Sequence, residues 1–364
     1  AKEKRDNAAK LQFLSTALYA AFGTPDEPYL FPEFQWNKEE KKGLDLRKIK
    51  LASGPYGTSA DGSQRGLFRQ HCAHCHGVTG DGAGPTAAFL TPYPRDYRQG
   101  VFKFKSTERS AKPTTADLKR ILQEGIPGTA MPSFLLLPKD EIEALVEYVK
   151  YLSVRGQTEM SLAYALFPGE EDLPTGDTPE AVAQAGGAFI KERIQEIVEP
   201  WNAAEEQIVN PPARSDQTPE ELRQSIAKGR EIFASKAAQC IQCHGTTALG
   251  DGKEGGPLKD YDDWNKDKKE GDLARWLLPK RELQPRNLRL GIYRGGRRPL
   301  DLYRRIRGGI PGTPMPEGGA GPKAVLKPED IWNLVDYVRS LPFEEGSEPA
   351  QFEAHGATAM VEHP

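Results

Sequence analysis

The alternation of apolar and polar residues along the chain predicts helices joined by long irregular segments. At residues 6–22 the apolar side chains of Leu11, Leu14, Leu18 and Phe22 recur at helical spacing on one face. A Gly-Thr-Pro-Asp turn follows directly and ends this helix. The next thirty residues mix aromatics, prolines and lysines, and we expect them to form an irregular strap over a neighbouring domain or partner.

Two later stretches carry a similar apolar, tyrosine-bearing face and predict a pair of matching helices, at 139–152 and 328–341. In these two stretches the corresponding residues are Leu145, Tyr148 and Val149 and then Leu334, Tyr337 and Val338. Two further helices are predicted to begin after Thr178 and Thr218, because threonine caps a helix and the proline that follows each suits its first turn. The matching pair indicates an internal duplication.

Every cysteine of the chain lies in one of two C-x-x-C-H pentapeptides, at 72–76 and 240–244. The motif is typical of covalent haem c attachment through thioether bonds, here from Cys72, Cys75, Cys240 and Cys243. The histidine that ends each motif, His76 or His244, is then predicted to be the proximal ligand of the iron.

Other uses of a C-x-x-C pair are a four-cysteine zinc site and a thioredoxin-like redox couple. Neither use explains why a histidine and then a glycine follow both pairs. Haem attachment is therefore the preferred interpretation.

Two of the four methionines lie in nearly identical loops that begin Gly-Ile-Pro-Gly-Thr. Met131 follows His76 by 55 residues, and Met315 follows His244 by 71. The prolines and glycines exclude a regular helix, so each loop is expected to aim one side chain. Filling a gap in a core is the alternative role for a methionine. Because a thioether is a soft, neutral ligand that favours ferrous iron, Met131 and Met315 are predicted to be the sixth ligands.

Each half of the chain resembles a class I cytochrome c domain, with an apolar helix, the C-x-x-C-H motif, a methionine loop and a C-terminal aromatic helix in that order. The whole is similar to bacterial dihaem cytochromes c of electron-transfer chains. The resemblance implies an all-α fold of two class I cytochrome c domains in tandem, with an N-terminal extension and a helical connector. The expected boundaries are 1–54 for the N-terminal helix and strap, 55–156 for the first domain, 157–216 for the connector, 217–345 for the second domain and 346–364 for the tail.

The resemblance implies an electron carrier with two covalently bound haem c groups rather than an enzyme, because paired histidine and methionine ligands leave no position open for a substrate. Electrons would pass from a periplasmic or membrane-bound donor complex to a terminal oxidase or reductase, either by a free carrier or by a subunit of such a complex. One alternative is a dihaem cytochrome c peroxidase, which needs a haem with a displaceable ligand and an acid–base group. Another is an electron-entry subunit for a catalytic copper or haem chain.

Arg95 and Arg286 each follow a proline at equivalent positions of the repeat. A guanidinium group binds a carboxylate in bidentate fashion, so both arginines are predicted to bind haem propionates. An ordinary surface arginine is the alternative at each position.

The charge and composition of the chain limit which partners and which cellular compartment are expected. The net charge of −3 argues against nucleic acid. Residues 275–307 hold eleven Arg or Lys against two acidic residues, which predicts a docking patch for an acidic redox partner, with a merely solvated surface as the alternative. The longest apolar stretch, 13–22, is too short to span a membrane. The chain begins with charged residues, and this family attaches haem outside the cytoplasm, so we expect a periplasmic or equivalent location and a removed export signal.

Overall fold

The computed structural model describes residues 2–40, 42–58, 62, 64–167, 173–175, 178–252, 283–319 and 326–347. Over these residues the fold is all-α, as predicted, with one short antiparallel pair, β1 (Gly57–Thr58) and β2 (Gln64–Arg65). The helices are α1 (Lys2–Phe22), α2 (Leu46–Ala52), α3 (Leu67–His71), α4 (Ala73–His76), α5 (Thr115–Glu124), α6 (Lys139–Leu166), α7 (Pro179–Asn202), α8 (Pro219–Ala234), α9 (Cys240–His244), α10 (Pro299–Gly308) and α11 (Pro328–Ser340). The tail from 348 and the basic residues at 275, 280 and 281 lie outside the described residues.

By their contacts the residues form two compact units that do not follow the order of the chain. The first unit comprises Ala1–Phe102, Ala111–Gln123 and Phe134–Gln207. The second comprises Lys103–Ser110, Glu124–Ser133 and Ile208–Pro364. Two short segments from the first half of the sequence therefore belong to the second unit, and one of them contains Met131. This division into units does not test the domain boundaries expected from the sequence, which remain a prediction.

Helix α6 is the centre of the first unit, and α1, α2 and α7 all contact it. Tyr148 and Tyr151 on its apolar face donate hydrogen bonds to the carbonyl oxygens of Pro25 (2.6 Å) and Phe22 (2.7 Å), where α1 ends. The end of α1 at Phe22 is the one predicted from the turn sequence. The N-terminal segment is thus fastened to the first unit by the two tyrosines.

Helix α6 continues to Leu166, whereas the sequence pattern predicts its end at residue 152. The apolar face continues beyond that point, and Val154, Leu162 and Leu166 are all buried. A glycine often marks the end of a helix, but Gly156 here serves close packing, since a Cβ would collide with Arg98. Burial of the continued face therefore extends the helix past the predicted end.

Both helices predicted from threonine-proline starts are confirmed. The Thr178 hydroxyl accepts a hydrogen bond from the Ala181 N–H at 3.1 Å at the start of α7. At the start of α8 the Thr218 hydroxyl accepts from the Glu221 N–H at 3.3 Å, and the Glu221 carboxylate accepts from the Thr218 N–H at 2.7 Å. This reciprocal pair is a capping box and fixes where α8 begins.

In the second unit, α8 crosses α11 at a glycine. A Cβ at Gly229 would collide with the carbonyl oxygen of Asn333, so the two backbones approach closely there. Beside the crossing, the buried carboxylate of Asp336 accepts a hydrogen bond from the Ser225 hydroxyl at 2.6 Å and pairs with Arg214. The crossing and the apolar residues of α10 and α11 form the core of this unit.

Candidate haem sites

The first C-x-x-C-H motif lies where α3 meets α4. Cys72 ends α3, and α4 carries Cys75 and His76 on the following turn. Gly77 ends α4 with a φ of 75°, a conformation that glycine adopts at little cost. Cys72 and His76 are buried and Cys75 is half-buried, so two thiols and one imidazole are presented from a single turn.

The second motif repeats this arrangement on α9, which ends at Gly245 with a φ of 76°. The backbone hydrogen bonds of the following turn also correspond. The His76 carbonyl accepts from the Gly82 N–H and the His244 carbonyl from the Gly250 N–H, both at 2.9 Å. The two motifs therefore share the backbone hydrogen bond of the following turn, although Cys240 and His244 are half-buried where Cys72 and His76 are buried.

Both proximal histidines have the same main-chain partner. Nδ1 of His76 lies 3.0 Å from the carbonyl oxygen of Arg95, and Nδ1 of His244 lies 3.1 Å from that of Arg286. A carbonyl can only accept, so Nδ1 donates and the lone pair is on Nε2. Burial lowers the pKa of His76 to about 4 and also lowers the pKa of His244. Both imidazoles are thus neutral at pH 7, with Nε2 as the atom that can bind iron.

Tyr97 covers the imidazole of His76 in the first site. The two rings are nearly parallel, at 17° with centroids 4.7 Å apart, and the phenol oxygen is 3.2 Å from Nε2. Because Nδ1 donates to the Arg95 carbonyl, Nε2 accepts a hydrogen bond here and the Tyr97 hydroxyl donates it. In the second site the equivalent residue is Leu288. The Tyr97 N–H donates to the Gly80 carbonyl at 2.7 Å, and the Leu288 N–H donates to the Ala248 carbonyl at 2.9 Å. The two sites therefore differ on the proximal side, a difference that sequence reasoning missed.

The two methionine loops are folded by the same hydrogen bonds. In the first loop the Ile126 N–H donates to the Met131 carbonyl at 3.1 Å. The Thr129 hydroxyl donates to the Ile126 carbonyl at 2.8 Å and accepts from the Met131 N–H at 3.1 Å. The second loop repeats these three bonds at 3.3, 2.9 and 3.2 Å with Ile310, Thr313 and Met315. A threonine thus fixes the backbone of each predicted ligand.

The predicted site residues divide between the two units. Cys72, Cys75, His76 and Arg95 belong to the first unit. The second unit contains both methionine loops and the remaining predicted residues, namely Cys240, Cys243, His244, Arg286, Met131 and Met315. Ligation of iron by either methionine remains a prediction.

At Arg95 and Arg286 the structure shows a main-chain function that the sequence did not reveal, the acceptor carbonyl for the proximal histidine. The Arg286 side chain donates from Nε to the Ile292 carbonyl at 3.1 Å. Binding of haem propionates by the two guanidinium groups remains a prediction.

The donor set at each motif fits haem c better than zinc. No disulfide joins the four cysteines, and one pair belongs to each compact unit. Across the described ranges, no group of three or more His, Cys, Asp or Glu side chains could hold a metal ion. Two thiols and a neutral imidazole on one turn are the groups that covalent haem attachment requires.

Comparisons with known proteins agree with this geometry. The family model for cytochrome c matches residues 59–153 and 226–342, more than half of the chain. A solved chain from the reducing HAO-like protein complex of Kuenenia stuttgartiensis aligns with a TM-score of 0.52 and 22% identity, covering 78% of this chain and 97% of that one. At this identity the likeness shows a shared fold. Curated protein sequences gave no match.

The two matched regions each contain one C-x-x-C-H motif and one twin methionine loop. This content is that of a c-type cytochrome, in which covalently bound haem serves electron transfer. The chain therefore belongs to the cytochrome c family.

Proposed function

We propose that the chain is a dihaem electron-transfer protein, with one haem c ligated by His76 and Met131 and the other by His244 and Met315. This proposal rests on one observation, that the same hydrogen bonds occur around the histidine and the methionine of both halves. Each half has an imidazole tied through Nδ1 to a carbonyl and a methionine turn fixed by a threonine. The same set of hydrogen bonds in both halves supports two six-coordinate haems, in which no coordination position of the iron is left for a substrate.

Bound haem c supplies the one-electron chemistry, and the residues of the chain set its conditions. The Arg95 and Arg286 carbonyls hold the ring orientation of the proximal histidines, and burial keeps those rings neutral. A methionine thioether as ligand would favour the reduced state and raise the potential. The guanidinium groups of the same two arginines would bind the propionates.

We place the protein outside the cytoplasm, between a periplasmic or membrane-bound donor complex and a terminal oxidase or reductase. Covalent haem attachment supports the compartment. Membership of a protein complex is supported by the similar solved chain, which comes from one. No helix in the described part of the chain combines the length and apolarity needed to cross a bilayer.

The described arginines of the 275–307 stretch have structural partners. Three of them form ion pairs: Arg298 with Asp301, Arg289 with Glu344 and Arg307 with Glu108. Four donate to backbone carbonyls, namely Arg286, Arg294, Arg304 and Arg305. A hydrogen bond to a carbonyl leaves the positive charge of the arginine in place, whereas the ion pairs reduce the net charge of this surface. We therefore still propose an acidic redox partner for it.

Replacing Met131 or Met315 with leucine tests the ligand assignment. Each single substitution is expected to open one coordination position, so that one haem binds carbon monoxide and its potential falls, while the other haem is unchanged. The double variant should have two such haems. The measurement is an optical redox titration of the holoprotein with carbon monoxide added at intermediate and full reduction.

Met160 provides the matched control, because it lies on α6 away from either loop sequence. Met160→Leu is expected to leave both potentials unchanged and to bind no carbon monoxide. If the unsubstituted protein itself binds carbon monoxide once half reduced, one haem has a displaceable ligand. That result would replace the carrier with a peroxidase-type enzyme.

A further inference from the structure

We propose that the two methionine loops are positioned crosswise, each by arginines from the other half of the sequence. Arg286 and Arg294 hold the loop of Met131, and Arg109 holds the loop of Met315. All of these residues belong to the second compact unit. The inference rests on the proposed ligation by the two methionines.

The loop of Met131 is contacted at Gly128. A Cβ at this glycine, whose φ is +71°, would collide with the guanidinium of Arg286, so that group lies against the loop backbone. Arg294 donates from Nη2 to the Gly128 carbonyl at 3.4 Å. Burial and the neighbouring charge of Arg286 lower the pKa of Arg294, as expected for two guanidinium groups brought together at one loop.

The loop of Met315 is contacted by Arg109, which comes from the first half of the sequence. Its Nη1 donates to the Gly308 carbonyl at 3.0 Å and lies 3.5 Å from the Met315 carbonyl. The segment that carries it is itself fixed to the second unit, because Glu108 pairs with Arg307 at 2.7 Å and the Val209 N–H donates to Ser106 at 2.9 Å. Arg109 therefore reaches the backbone of the predicted ligand from an anchored position.

Arg286 has two functions that link the two sites. Its main-chain carbonyl accepts the hydrogen bond from His244 Nδ1, and its side chain lies against the loop of Met131. One residue thus connects the proximal ligand of one haem with the sixth-ligand loop of the other. Substitution of the side chain retains the carbonyl and removes the contact with the loop, the charge and the predicted contact with a propionate.

The test is proton NMR of the fully reduced holoprotein, in which the haem ring current shifts the methyl signal of a ligating methionine far upfield. Met131→Leu and Met315→Leu assign the two signals. Arg109→Ala is expected to shift or broaden the Met315 signal and to leave that of Met131 unchanged. Arg286→Ala and Arg294→Gln are expected to do the reverse.

The redox potentials of the two haems distinguish an effect on loop position from an effect of the arginine charge. Arg286→Ala is expected to lower both potentials, whereas the matched control Arg95→Ala should leave the Met315-ligated haem unchanged. Arg286→Lys retains the charge and should restore the potential of the His244 haem but not the Met131 signal. This conservative variant, with Arg294→Gln, also serves if Arg286→Ala fails to fold.

Two different results would overturn different claims. If each arginine perturbs the methionine of its own half, or none perturbs either signal, the crosswise inference is wrong while the ligation stands. If Met131→Leu removes no upfield signal, the proposed function itself fails.

Discussion

Replacing Cys240 and Cys243 together with alanine is expected to give a protein with a single covalent haem and a second unit of much lower stability. The thioether bonds are the tether, so without them the haem of this half is lost. Phe233 lies beside His244, with ring centroids 6.2 Å apart, and belongs to the core of the unit. Losing so large an apolar group leaves a cavity, at a cost of roughly 5 kcal/mol or more. Intact mass under denaturing conditions counts the haems, and thermal unfolding reports the stability.

The equivalent substitutions in the first half are the matched control. Cys72→Ala with Cys75→Ala should also leave one haem, and the variant with all four substitutions should have none. Retention of two covalent haems by either double variant would show that the motifs are not the attachment sites.

Gly229→Ala is expected to lower the free energy of unfolding by up to about 2 kcal/mol, although alanine is the better helix former. Helix propensity alone would favour alanine by roughly 1 kcal/mol. At this position, however, the added Cβ would collide with the Asn333 carbonyl and lie 2.7 Å from Cβ of Tyr337. Overpacking of this kind costs about 1–3 kcal/mol even after relaxation, and a backbone oxygen cannot move away as a side chain does. Urea unfolding followed by helical circular dichroism measures the difference.

Gly187→Ala on α7 isolates the propensity term, because nothing lies within 4 Å of a Cβ built there. This variant is expected to be more stable by up to about 1 kcal/mol. Were both alanine variants stabilised to the same extent, α8 and α11 would not pack backbone to backbone at Gly229.

Features that depend on neighbouring residues in the chain could be predicted from the sequence. Local chemistry determines the cysteine motifs, the helix starts after Thr178 and Thr218 and the turn after Phe22. The structure confirms these two helix starts and the end of α1. The twin methionine loops could also be predicted as irregular, because proline and glycine restrict the backbone wherever they occur. The threonine bonds that fix these loops involve residues two or three apart.

Features that depend on distant partners could not be predicted. The predicted end of α6 at residue 152 was wrong, because burial of Leu162 and Leu166 continues the helix beyond it. Nothing near residue 109 in the sequence indicates that an arginine there meets a loop two hundred residues later. The docking patch predicted at 275–307 rests on a count of charges, which does not show that backbone carbonyls accept hydrogen bonds from Arg304 and Arg305.

The acceptor for each proximal histidine is a main-chain oxygen, and this has a consequence for how the two halves could diverge. Every residue type supplies the same carbonyl, so the bond to His76 or His244 tolerates any side chain that keeps the local backbone. A substitution at position 95 or 286 is therefore compatible with the same ligand orientation, although both positions are arginine in this chain. The side chain at 286 can accordingly contact the loop of Met131 while the carbonyl of the same residue orients His244.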